Sequence, residues 1–275
     1  MPRLIRQALD RAGIEGAERV STGVDVVGDI AIVRLEEFGQ KEKKRIGEAL
    51  LAELRNVNGV YEQVGGVEGE LRLRSVKHLA GARRTLTVHR ENGCQYRVDI
   101  ARCFFSPRLS TERLRVASQV RKDELVLNMF AGVGPFSIPM ARSSRTLVTS
   151  CEINPLACRL HRENDRLNRV ESLVKVFNDD AQDLPSKLRP EYDRIIMPHP
   201  SQANRFVPAA LQLAKRKAMI HYYRHVLGRT EEEARENLNK ELSELFPRKA
   251  RYDLRKVREV GPRWLEMVAD VRLGG

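Results

Sequence analysis

In the second half of the chain, glycines and carboxylates stand at the ends of successive apolar runs, with the types and spacing of a site that holds a nucleoside. The run ELVLNMF leads into NMFAGVGPF, where Gly132 and Gly134 let the backbone turn sharply and approach a ligand. About 20 residues beyond Gly132 the run RTLVTSCE ends in Glu152, a spacing at which a carboxylate accepts both hydroxyls of an adenosine ribose. The next run, LVKVF, leads into FNDDAQDL, where Asp180 is placed to accept a hydrogen bond from an adenine amino group and Ala181 leaves space beside the ring. Either acid alone also fits an ordinary loop or helix N-cap. Together, at the ends of successive strands, they make one ligand-facing rim.

The glycine turn and Glu152 suit either a nicotinamide dinucleotide or S-adenosylmethionine, because Ser137 can serve as the third small residue of a dinucleotide motif. The acid after the third strand favours S-adenosylmethionine. Positioning these groups requires strands and helices in alternation. ELVLNMF, RTLVTSCE, LVKVF, DRIIM and KAMIHYY are short apolar runs, each followed by a helix-like segment such as NPLACRLHRENDRLN or QANRFVPAALQLAK. That order argues for right-handed βαβ crossovers and a doubly wound α/β domain over residues 107–275. Two final runs, RYDLRKVREV and RWLEMVADVRL, flank Gly261 and Pro262 and read as an antiparallel hairpin closing one edge of the sheet, the methyltransferase version of this Rossmann-like architecture.

Residues 1–106 read as a small α+β domain. GVDVVGDIAIVR gives two strands around a tight turn, Gln40 to Arg55 a helix with KEKK on its wet face, and LRLRSVKHLAG, RRTLTVHRENG and YRVDIARCFF further basic strands.

The 275 residues are 41% hydrophobic, without repeats, and carry 49 Lys and Arg against 37 Asp and Glu, a net charge of +12. Such a surface favours a polyanion, and nucleic acid over a membrane, since no run approaches the ~18 apolar residues of a span and MPRLIRQALDRAGI lacks a signal's apolar core. A cytoplasmic monomer is expected. Cys94, Cys103, Cys151 and Cys158 lack C-x-x-C spacing, and His221 with His225 is the one histidine pair in register on a strand face, so no metal is expected.

Beyond single loops, HRENG (His89 to Gly93), FFSPRLSTER (Phe104 to Arg113), MFAGVGPFSIP (Met129 to Pro139), EINPLA (Glu152 to Ala157), RIIM (Arg194 to Met197) and IHYY (Ile220 to Tyr223) resemble the Trm5-type tRNA guanosine-37 N1-methyltransferases and the sister TYW2-type aminocarboxypropyl transferases of wybutosine synthesis. The resemblance implies a class I methyltransferase domain using S-adenosylmethionine and acting beside the anticodon of tRNA. It implies that Glu112 takes the N1 proton of guanine, since N1 becomes a nucleophile only as that proton leaves. Arg72, or Arg74 in its place, is the implied support for charge on O6. Arg113 is the implied partner of the methionine carboxylate, completing a cofactor set with Phe130, Ala131, Gly132, Gly134, Glu152, Ile153, Asp180, Ala181 and Pro198.

Two departures from the family pattern shape the expectation. The fourth strand of the sheet usually ends in an Asn-Leu-Pro-like or Asn-Pro-Pro-like sequence, and here reads Met197-Pro198-His199-Pro200, leaving a backbone carbonyl at Pro198 and a new contact at His199. Family members often carry an additional N-terminal domain, which checks the outer corner of the tRNA, and it is expected to be missing here because the opening residues leave little room for one. Recognition is then expected to rest on the anticodon stem-loop, through Arg74, Lys77, Arg83, Arg84, Arg108 and His199. Methyl transfer is the leading reading, aminocarboxypropyl transfer the runner-up, and a non-catalytic basic RNA-binding module the third.

Overall fold

The computed structural model describes residues 2–15, 23–69, 71 and 73–274. Arg72 lies outside the described residues.

The first half runs α1 (Pro2–Ala12), β1 (Asp25–Val27), β2 (Ile30–Val33), α2 (Gln40–Glu53), β3 (Gly59–Glu68), β4 (Leu73–Gly81), then β5 (Leu86–Glu91) and β6 (Cys94–Asp99). β1 to β4 form one sheet in chain order, antiparallel except where α2 crosses over to bring β3 parallel to β2. The apolar stripe of α2, Ile46 and Leu50, meets Ile5 and Leu9 of α1 and Ala31, Val33 and Val60 of the sheet, so both helices share one face. Glu42 accepts the Gly39 amide at 2.7 Å and fixes the start of α2. Neither α1 nor β3 is among the expected elements.

The second half runs α3 (Ser110–Gln119), β7 (Leu125–Asn128), α4 (Ser137–Ser144), β8 (Leu147–Glu152), α5 (Pro155–Leu167), β9 (Val174–Asn178), β10 (Tyr192–Met197), α6 (Val207–Leu213), β11 (Ala214–Leu227), α7 (Glu231–Leu245), β12 (Arg251–Gly261) and β13 (Trp264–Arg272). Its seven strands lie in the order β12-β13-β11-β10-β7-β8-β9. β7 to β11 are parallel to one another, and β13 runs antiparallel between β11 and β12, the expected closing hairpin. Period-two alternation fills both faces: Leu127, Ile195 and Ile220 face α6 and α7, whereas Val126, Val148 and Ile196 face α3, α4 and α5. Between β9 and β10 the connection carries a single 3-10 turn at Leu184–Ser186 rather than a full helix, because Pro185 and Pro190 interrupt so short a segment.

β5 and β6 form their own two-stranded sheet, turned at Asn92 and Gly93, both with positive φ. This hairpin packs on α5. Asn164 and Asn168 present their amides to the open edge of β6, bonding the N–H and C=O of Arg97 and of Gln95 at 2.7 to 3.2 Å. The two side chains act as a substitute strand and satisfy backbone groups that would otherwise be buried without partners. Strand order reverses between β7 and β10, so a crevice opens at the carboxyl ends of these strands, beside the Gly132 turn.

Candidate cofactor and substrate site

The cavity in that crevice is built from the end of β7. Asn128, fully buried, donates to Ser137 Oγ at 3.0 Å, and Ser137 shares a hydrogen bond with Ser150 of β8 at 2.8 Å, which fixes the start of α4 against the sheet. Ala131 N still bonds the Cys151 carbonyl at 2.8 Å, and the chain then turns at Gly132 with φ +54°. Glu152 accepts the Gly132 amide on Oε2 at 2.7 Å and the Asn154 amide on Oε1 at 2.8 Å. Burial raises this carboxyl above its usual range, opposed by the Asn154, Gly132 and Ile153 amides. Asp180 accepts the Gln182 amide at 2.8 Å. Phe130, Gly132, Glu152, Ile153, Asp180, Ala181 and Pro198, all expected around a cofactor, line this one cavity, with His199 at its mouth 5.0 Å from the Phe130 ring. Two carboxylates beside the apolar walls Ile153, Ala181 and Phe206 match the ribose hydroxyls, amino group and ring of an adenosine.

Three residues expected at the cofactor do not line this cavity. Ala131 is buried in the sheet-to-turn transition. Gly134, with φ +94°, is set by packing, since a Cβ there would stand 2.5 Å from His161 Cδ2 on α5. Arg113 is buried against the Phe105 ring, holds both oxygens of Glu91 at 2.6 and 2.7 Å and donates to the Ser106 carbonyl at 2.6 Å. It ties β5 to the start of α3 instead of reaching the cavity. Conversely, Phe104, Asn154, Gln202 and Phe206 line the cavity without having been expected there. Only Asn154 left a readable signal, an Asn-Pro helix start; its side chain caps α5 and donates to the Arg102 carbonyl at 2.7 Å.

A second cleft adjoins the first and shares Phe104, His199 and Gln202 with it. Arg74 and Arg108 converge there on Asp25, at 3.8 and 2.7 Å, with Arg34 and Arg258 also on the walls. The other expected cations lie apart: Lys77 bonds Gln40 at 2.8 Å, Arg84 pairs with Asp29, and Arg83 lies with Arg84 along a groove beside Tyr61 and His78.

Glu112 lines neither cavity. Arg115 grips both its oxygens at 2.8 Å and Tyr223 donates to it at 2.5 Å. From Arg115 the chain of charges continues through Asp270, at 2.5 Å, to His221, at 2.6 Å, and on to Arg194, at 2.7 Å, and Glu124. Despite burial, His221 and Arg115 hold the Asp270 carboxyl well below its usual range. Burial and the neighbouring Glu112 push the Tyr223 hydroxyl well above its own.

The TRM5/TYW2 methyltransferase domain family matches residues 87–249, and the TYW2 N-terminal domain family residues 5–85. The chain is 41% identical to the tRNA (guanine(37)-N(1))-methyltransferase Trm5b of Pyrococcus abyssi over 202 residues, 74% of this chain but 59% of that protein. It therefore spans less than two thirds of that relative's length. With the tRNA 4-demethylwyosine(37)-methyltransferase Taw21 of Saccharolobus solfataricus identity is 34%, over 90% of this chain and 93% of that one. With the 4-demethylwyosine(37)-C(7) aminocarboxypropyltransferase of Pyrococcus horikoshii it is 37%, over 73% and 70%. Among solved structures, the complex of aTrm5 with tRNALeu superimposes with a TM-score of 0.84 at 33% identity, covering 98% of this chain and 75% of that one. The P. horikoshii TYW2 complex with MeSAdo gives 0.76 at 30% identity, over 99% and 98%. The structure of M. jannaschii TYW2 was solved in complex with AdoMet. The chain belongs to the TRM5/TYW2 methyltransferase family.

Proposed function

We propose that this chain transfers the methyl group of S-adenosylmethionine to the base of nucleotide 37 in tRNA. The observation that carries the reading is the junction at Phe104, His199 and Gln202, through which a nucleoside cavity rimmed by Glu152 and Asp180 opens into an arginine-lined cleft. Bound there, the cofactor supplies an electrophilic sulfonium methyl. Glu152 holds the ribose and fixes the Gly132 turn, Asp180 and Ala181 receive the adenine, and the aromatic groups at the junction offer faces on which an unstacked base can rest.

The acceptor implied by the sequence is N1 of guanosine, which needs a carboxylate to take its proton. Glu112 is poorly disposed for that task while Arg115 and Tyr223 occupy its oxygens. A second acceptor, 4-demethylwyosine, is favoured by that clasp, because a ring carbon can attack the sulfonium methyl first and release its C–H proton to solvent afterwards, with S-adenosylhomocysteine as the leaving group. The relative Taw21, 34% identical over 253 residues, is named for methylation of that base.

The test supplies purified protein and labelled S-adenosylmethionine with tRNA carrying either G37 or 4-demethylwyosine 37, and identifies products by mass spectrometry. N1-methylguanosine with S-adenosylhomocysteine supports the first acceptor, and a methylated tricyclic base the second. Release of methylthioadenosine would replace methyl transfer with aminocarboxypropyl transfer. Absence of turnover on both tRNAs would overturn the proposal.

A further inference from the structure

Among the described residues, the cleft beside the candidate cofactor cavity carries more positive charge than its carboxylates answer. Arg74 is the centre of the imbalance: its side chain is 8% exposed, and its Nε has no hydrogen-bond partner among the described residues. The nearest carboxylate among the described residues, on Asp25, stands 3.8 Å away and is already engaged at 2.7 Å by Arg108. Arg258 is committed to Glu266 at 2.6 Å and to Ser106 at 3.1 Å, and the cleft's other acid, Glu259, pairs outward with Lys256. Arg34 is exposed at the wall and pairs with no carboxylate among the described residues. Burial lowers the Arg74 guanidinium from its usual range; Asp25 opposes that, while Arg258, Arg34 and Arg108 add to it, so these cations crowd one centre.

A buried guanidinium without a full counter-charge is costly, and a concave wall of like charges concentrates an anion. Resting on the position-37 reading, we infer that Arg34, Arg74 and Arg108 around Asp25 form a phosphodiester seat for the RNA backbone beside the target nucleotide. One phosphodiester brings a single negative charge and two acceptor oxygens, which match the fork of an arginine whose local partner is shared. The cleft, about 630 Å³, has room for a nucleotide. Gly66 and Gly69 stand on its wall, and a Cβ built at either would meet nothing within 4 Å among the described residues. Because Phe104, His199 and Gln202 belong to both cavities, a phosphate on Arg74 places the attached base at the cofactor's door. The seat thus sets the register of the strand, independent of base identity.

The test uses an anticodon stem-loop RNA bearing one uncharged methylphosphonate linkage, placed in turn 5′ and 3′ of nucleotide 37. Dissociation constants are measured by fluorescence anisotropy without cofactor. With wild-type protein, one of the two linkages raises Kd tenfold or more; with Arg34→Ala or Arg74→Gln the same linkage changes Kd less than twofold, because its partner is already gone. Arg34→Ala is exposed and keeps the test in force should Arg74→Gln fail to fold. Arg121→Ala, at the opposite end of the sheet, retains the wild-type response. The inference is overturned if both linkages are silent with wild type, if substitution and neutralisation losses simply multiply, or if the unmodified stem-loop does not bind saturably. A protein that methylates tRNA without this coupling overturns the seat alone; one that shows the coupling without any transfer overturns the functional reading alone.

Discussion

Tyr223 of β11 donates its hydroxyl to Oε1 of Glu112 at 2.5 Å, from 111 residues away, and Arg115 closes the clasp from one turn along α3. This ties α3 to the underside of the sheet through a carboxylate that is 7% exposed. Removing its charge leaves Arg115 with Asp270 alone, and breaking a buried pair in this way costs about 3–5 kcal/mol. Glu112→Gln is expected to lower the melting temperature by several degrees, while single-turnover transfer by the folded fraction falls less than tenfold. An unchanged melting temperature with a loss of roughly a thousandfold in rate would return Glu112 to the proton-accepting role.

Glu152 is expected to govern cofactor affinity. It organises the Gly132 and Asn154 amides and lines the cavity, so Glu152→Gln forfeits charged hydrogen bonds of about 1.5–3 kcal/mol, roughly 10–150-fold in Kd for S-adenosylmethionine. Burial raises its carboxyl above the usual glutamate value, and only the ionised form accepts both ribose hydroxyls. Affinity should therefore fall as pH drops, beginning at a higher pH than for an ordinary carboxylate. Isothermal titration of wild type and variant across pH 5 to 8 checks both statements; a flat wild-type profile, or an unchanged Kd in the variant, counts against the assignment.

That Gly132, Glu152 and Asp180 meet at one cavity was readable because each follows from where a strand ends, which local apolar pattern reveals. Arg113 and Gly134 occupy equally suggestive places, but their roles depend on Glu91 and on His161, partners that spacing does not announce. The Glu112 clasp was hidden for the same reason: Arg115 reaches Asp270 across 155 residues of chain. β3 is not legible locally because GVYEQVGGVE carries three glycines and weak alternation, and its pairing with β2 and β4 supplies what its local propensity lacks. The second cleft was legible only as scattered arginines. Its convergence on Asp25 needs β1, β4 and the Pro107–Leu109 turn brought together.

The two glycines of the turn should fail differently. At Gly134 a methyl group meets His161 at 2.5 Å and Ile138 at 2.9 Å, both in the buried core, so Gly134→Ala is expected to destabilise the fold by several kcal/mol. At Gly132 a Cβ would find, among the described residues, only the Phe104 carbonyl at 3.7 Å, leaving about 1–2 kcal/mol of backbone strain at φ +54°. Gly132→Ala should fold and bind cofactor more weakly. Chemical denaturation paired with cofactor titration separates the two, and equal stability losses would contradict the packing role given to Gly134.

Asp165 and His161, one turn apart on α5 with Oδ1 and Nε2 3.4 Å apart, give the fold a pH dependence of its own. Burial, reinforced by Glu171, pushes the Asp165 carboxyl up to about 8 from 3.8. Between those values the unfolded chain releases the proton while the fold keeps it, so stability declines as pH rises toward 8 and the penalty is constant beyond. His161 acts in the opposite direction: burial lowers it to about 3, so its contribution is complete above pH 6.5 and is lost as pH falls toward 3. Asp165→Asn removes the first effect and leaves the second. The variant is expected to be more stable than wild type at pH 8, by about 1 kcal/mol or more, with the advantage shrinking toward pH 4. Guanidinium unfolding at pH 5, 6.5 and 8 measures the difference, and an advantage that stays constant with pH would mean that Asp165 is ionised in the fold, its charge stabilised by the Arg162 and Arg166 side chains on the same helix.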